Sequence, residues 1–203
     1  MLVNNKTLAG ILFFLSSAWF MTSLMISEAI APGYSMNSNA ISDLGTISQS
    51  SLLFNLSIFL VGVVNITGGY LYYQSHKRMS ALLMFVIAGI GAIGVGIFTL
   101  DSPTGLHGLF ALVAFLFFNL QAIAVARMIS GPLKLISIAL GLIGLVYIVV
   151  MFVSDSGMFD LFGPIGHGGT ERMIVYPSII WLTVFGGYLM GTEARSGEPA
   201  AKI

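Results

Sequence analysis

Residues 51–73 read SLLFNLSIFLVGVVNITGGYLYY, residues 74–78 read QSHKR, and residues 79–100 read MSALLMFVIAGIGAIGVGIFTL. Each of the two apolar runs is long enough to cross the hydrocarbon of a bilayer as a helix, which takes ~20 residues. The polar turn between them leaves room only for a hairpin, and it carries Lys77 and Arg78. Basic connections stay in the cytoplasm, so this turn is an inner one. An antiparallel pair of spanning helices with its turn inside sets the reading of everything on either side.

Working outward, a run over 7–30 precedes the pair. It is longer than a signal-peptide core, and Pro32 spoils the Ala29-Ile30-Ala31 cleavage pattern, so it reads as a retained first helix. After the pair, Ser102 as N-cap and Pro103 as first helical residue open a fourth helix that ends near Arg127. A link over 128–132 leads into a fifth helix lasting to about Val153, and Thr170 caps a sixth over 171–191. The expected fold is all-α: a six-transmembrane-helix bundle with N- and C-termini cytoplasmic, one membrane domain over 1–192 and a short polar tail over 193–203. A hydrophobic content of 57% against 8% charged residues agrees with a cell-membrane, multi-pass chain. Net charge is zero and no basic run exists, so nucleic acid has no electrostatic footprint here. Cysteine is absent, which leaves only His and carboxylates as metal ligands.

This topology sorts the charges. Lys6, Lys77, Arg78, Arg127, Lys134, Arg195 and Lys202 fall inside, and Arg172 alone among the basic residues falls outside. Six of the eight carboxylates and two of the three histidines fall outside as well. The outer connections share a pattern: Ser42-Asp43-Leu44-Gly45 after the first helix, Asp101-Ser102 to His107-Gly108 after the third, and Asp155-Ser156 to His167-Gly168 after the fifth. His107 is expected one turn inside helix four. His167 is expected about one turn before helix six, with Glu171 and Arg172 in that helix's first turn.

Ser42, Asp43, Asp101, His107, His167, Glu171 and Arg172 therefore predict an outer-face polar pocket for the headgroup of a lipid or other amphiphile. A cation is unfavourable at a helix N-terminus. Arg172 is accordingly expected either to pair with Asp43, Asp101, Asp155 or Glu171, or to receive an anionic headgroup through its planar fork. Whether the chain is an enzyme stays open, with Asp43, Asp101 and His107 as the catalytic candidates. A second reading gathers His107, His167 and Asp101 around a zinc ion that would supply hydroxide for hydrolysis at the membrane surface. Ser42 and Asp43 are similar in that respect to the zinc-binding alkaline ceramidase and adiponectin receptor superfamily, whose closely spaced His pair this chain lacks. A third reading, a small transporter, requires a polar path past Asn65 and Asn119. No acid or base lies near the centre of any span. In helix three, Ala88, Ala92 and Gly96 recur every four residues beside Gly89, Gly91 and Gly94, a surface for close packing within the bundle or in a homodimer.

The order Ser42-Asp43-Leu44-Gly45, then Asp101 to His107, then Glu171-Arg172 resembles the multi-pass membrane family known as domain of unknown function 998. The resemblance spans nearly the whole chain and implies about six helices without implying an activity. More distantly the chain resembles eukaryotic autophagy-modulator and growth-factor-receptor-activating membrane proteins, which implies lipid or sterol handling.

Overall fold

A computed structural model describes the backbone of residues 4–194 and the side chains of residues 4–191; the expected tail over 193–203 lies almost wholly outside these residues. Six helices account for most of the chain: α1 (Asn5–Ile30), α2 (Ser51–His76), α3 (Met79–Ile97), α4 (His107–Ala126), α5 (Pro132–Asp155) and α6 (Gly166–Ala194). All six are long and apolar enough to cross a membrane, and no strand occurs among the described residues. Consecutive helices pack side by side from α1 to α6, α6 returns to α1, and α4 also touches α6. The result is a closed ring. One end, called here the acidic end, carries Asp43, Asp101, Asp155 and Asp160 in or beside the longer connections. The opposite, basic end carries Lys77, Arg78, Arg127 and Lys134.

Lipid tails are as apolar as leucine, so burial alone does not hold such a ring together, and close backbone approach does more of the work. A Cβ on Gly62 would sit 2.5 Å from Gly89 O, and one on Gly91 would sit 2.5 Å from Ala114 N. The small-residue face of α3 is thus spent on α2 and α4, with Ala88 and Ala92 fully buried between them. Gly10 and Gly186 bring α1 and α6 together in the same way. Around these contacts lie stacked aromatic pairs, Phe13 on Phe85 at 5.1 Å and Trp181 on Phe185 at 5.0 Å. Trp181 Nε1 donates to Ser137 Oγ at 2.8 Å, joining α6 to α5.

The mid-membrane amides also join helices. Asn65 Nδ2 donates to Phe85 O and to Gln121 Oε1, tying α2 to α3 and α4. Asn119 Nδ2 donates to Phe115 O in its own helix and to Ile174 O across the interface. Ile174 adjoins Met173, whose carbonyl loses its usual i+4 donor because Pro177 lies inside α6. Neither Asn65 nor Asn119 lines the two cavities at the acidic end of the bundle.

Two helix starts differ from the sequence reading. α4 begins at His107 rather than Pro103, because Gly105 takes a left-handed φ of +67° and Ser102 N turns back to Thr99 O. His107 is therefore the first residue of its helix and not one turn inside it. α6 begins at Gly166, so His167 is helical, Glu171 and Arg172 lie in the second turn, and Thr170 Oγ1 donates to Gly166 O instead of capping. The glycines that resemble a loop are required because the first connection lies on them. A Cβ on Gly168 would sit 2.1 Å from Asn39 O, and one on Gly166 2.4 Å from Asn37 O.

Candidate functional site

The connection over 31–50 folds across the acidic end and is held there by α6. Arg172 does most of the holding. Its Nε and one terminal nitrogen donate to Glu28 Oε1 at 3.1 and 2.6 Å, and that nitrogen also reaches the Tyr34 hydroxyl. The other terminal nitrogen donates to Gly168 O at 2.7 Å, Met36 O at 3.0 Å and Asn39 O at 3.4 Å. All five guanidinium N–H groups have acceptors in the protein. The pair is nearly dry, with the Arg172 side chain 6% and the Glu28 side chain 12% exposed. Arg172 is thus ion-paired, as one of the two sequence readings expects, but to Glu28 at the end of α1 and to none of the four acids proposed for it.

Glu171 holds the next part of the same connection. Its carboxylate accepts from the backbone N–H groups of Ile41 and Ser42, at the start of a 3-10 turn over Ile41–Gly45. Asp43 closes that turn from within, Oδ2 accepting from Ala40 N and Asn39 Nδ2 at 3.0 Å each. Gly168 N donates to Asn37 O, and Asn37 Nδ2 donates to Pro164 O. Tyr34 donates to Ala40 O at 3.0 Å while receiving Arg172. Burial pushes its phenol up from 10.0 to about 12, against the lowering pull of the Arg172 charge.

Beneath this cap lies a cleft of about 750 Å³ between α4, α5 and α6. Its upper wall is polar, made by Ser38, Ser42, Asp43, Asp155, His167 and Glu171. Its lower wall is apolar, with Leu112 and Phe115 from α4, Val149 and Phe152 from α5, and Ile174 from α6. Leu112, Val149 and Phe152 are also on the exterior of the bundle, so the cleft opens sideways between α4 and α5. A smaller cavity of about 60 Å³ continues inward toward Phe54, Phe118 and Ile179. Ser42, His107 and Glu171 line both spaces and form the polar neck between them.

His107 is 6% exposed, and its Nδ1 lies 2.8 Å from Phe98 O. A carbonyl oxygen can only accept, so Nδ1 carries the proton and Nε2 of the neutral ring remains an acceptor. His167 Nε2 lies 3.5 Å from Asp155 Oδ1, and its ring meets Phe162 edge-on. Asp101 is exposed, accepts from Thr99 Oγ1 at 2.6 Å and lines neither space. Of the seven residues singled out in the sequence, five share the cleft: Ser42, Asp43, His107, His167 and Glu171. Asp101 and Arg172 do not. No three His, Asp or Glu side chains converge to ligate a metal among the described residues, so the zinc set of His107, His167 and Asp101 is not brought together. Glu28 and Tyr34 were missed. For Glu28 a signal existed, since it is the one acid inside the first apolar run and Arg172 is the one base expected on that side.

No curated protein and no solved structure matches the chain. The ring of six spanning helices and the motif residues gathered at its acidic end agree with one family, described as "Protein of unknown function (DUF998)", whose match covers residues 14–188. The chain belongs to that family of multi-pass membrane proteins.

Proposed function

We propose that the protein binds a membrane amphiphile in the cleft between α4, α5 and α6, with the head under the 31–50 connection and the tail leaving between α4 and α5. The observation that carries this reading is the division of the cleft wall into a polar upper part and an apolar lower part that opens sideways. A water-soluble ligand has no use for a lateral apolar opening, whereas an acyl or isoprenoid chain does. By the distribution of basic residues, the ligand comes from the outer leaflet.

The head is a hydrogen-bond donor. Arg172 has no donor left for a phosphate or carboxylate, because Glu28, Tyr34 and three backbone carbonyls take them all. What faces the cleft is rich in acceptors: Asp43, Asp155, Glu171 and the free Nε2 of His107. Hydroxyl or ammonium groups suit that wall, and an anion would be repelled by it.

The test is Val149→Trp. Val149 is 61% exposed on the outside of α5, so a larger side chain there blocks the opening without touching the bundle's interior. Native mass spectrometry of the wild type should show a retained lipid that the variant lacks at an unchanged melting temperature. Equal retention by both proteins contradicts the proposal. His107→Gln should likewise fold and release the ligand, since Gln does not reproduce the position of the imidazole acceptor.

A further inference from the structure

The basic end has a polar cavity of about 600 Å³ where the last turn of α2, the first turn of α3 and the last turn of α4 meet. His76, Arg78, Ser80 and Arg127 line it. Arg78 and Arg127 are exposed and have no hydrogen-bond or ion-pair partner among the described residues, unlike the saturated Arg172 at the other end. Their neighbour Lys77 is turned away: its Nζ donates to Gln74 Oε1 at 2.9 Å and lies over the Tyr73 ring. No carboxylate within residues 4–191 lies at this end; Glu28, Asp43, Asp101, Asp155, Asp160 and Glu171 are all at the other. Two guanidinium groups thus share one concave space with no counter-charge from residues 4–191.

We infer that this cavity binds the phosphate of an anionic phospholipid, with Arg78 and Arg127 as its two forks and Ser80 as a further donor. The chemistry is that of paired guanidinium groups on phosphate oxygens, which they contact through two parallel N–H donors each. A lipid fits better than a free phosphate because the cavity sits at the ends of three spanning helices, at the depth of the headgroups. Basic pockets between transmembrane helices on the cytoplasmic side recur as anionic-lipid sites. This site is separate from the cleft at the acidic end and does not depend on what that cleft binds.

The experiment uses the full chain in nanodiscs of phosphatidylcholine with a minority of phosphatidylglycerol, and counts the lipids retained on release in native mass spectrometry. The wild type should retain phosphatidylglycerol in preference to phosphatidylcholine. Arg78→Gln combined with Arg127→Gln should reduce that preference roughly tenfold or more. Lys134→Gln removes another exposed cation of the same end that lies off the cavity, and should leave it unchanged. Equal retention by the double variant, or an equal loss in Lys134→Gln, overturns the site in favour of diffuse surface attraction. Displacement of the lipid by millimolar inorganic phosphate overturns the lipid assignment. If the double variant lacks a melting transition, Arg127→Gln alone carries the comparison with Lys134→Gln.

Discussion

Arg172 illustrates how a charge near hydrocarbon is made tolerable: it is given a carboxylate, a phenol and three carbonyls, and the loop that supplies most of them is fixed as a result. Removing one partner of a desolvated pair typically costs ~3–5 kcal/mol, against at most ~1 for an exposed charge. Arg172→Ala should therefore lower the melting temperature in detergent far more than Lys134→Ala, and similar values for the two would contradict a buried pair. Arg172→Lys should not rescue it, because an ammonium has three donors where five are used. Tyr34 adds a dependence on pH. Its phenol rises to about 12 on burial, so the fold favours the neutral form that donates to Ala40 O. That contribution is fully present below the unfolded value near 10 and is lost as pH climbs through 12. Scanning calorimetry of wild type and Tyr34→Phe should show the advantage of the wild type shrinking between pH 9 and 11.5; a constant difference would mean that Tyr34 ionises as freely folded as unfolded.

At the scale of elements, glycine serves two ends that look alike in sequence. Gly187 faces open space, whereas Gly168 has the 31–50 connection against it. Gly187→Ala should be neutral or slightly stabilising, as Ala is the better helix former by up to ~1 kcal/mol. Gly168→Ala should displace the connection, lower the melting temperature by several degrees and raise proteolysis within 31–50; intact protection would show that the backbone can yield. The same contrast explains what could be read beforehand. Six apolar runs of the right length gave the helices and their order, because bilayer thickness is a constraint on length alone. The start of α6 was illegible, since Gly166-His167-Gly168-Gly169 has the composition of a loop and is helical only because another part of the chain needs the space. His107 belongs to α4 as the sequence suggests, but its place as the first residue of that helix depends on Gly105 turning left-handed, which composition does not reveal. The apolar half of the cleft could not be foreseen, because a helix as uniformly apolar as α5 does not announce which face meets its neighbours.

For the molecule as a whole, the two ends solve the same electrostatic problem differently: the acidic end folds its one cation into the protein, and the basic end leaves its cations at the surface. The charge distribution predicts that the acidic end is external. Reporter fusions after Gly105 and after Gly157, both in exposed turns with open space around them, should read as external, and one after Ser130 as cytoplasmic. A cytoplasmic signal from either of the first two would overturn that orientation. The pairing of Arg172 with Glu28, 144 positions earlier, also has a bearing on synthesis. The first connection leaves the ribosome long before the helix that will fasten it, so through the making of five helices it has no stable place to rest. Nascent chains arrested ahead of residue 166 should be cut by protease within 31–50, and chains released after α6 should resist. The end of the protein built first is, on this account, the last to become itself.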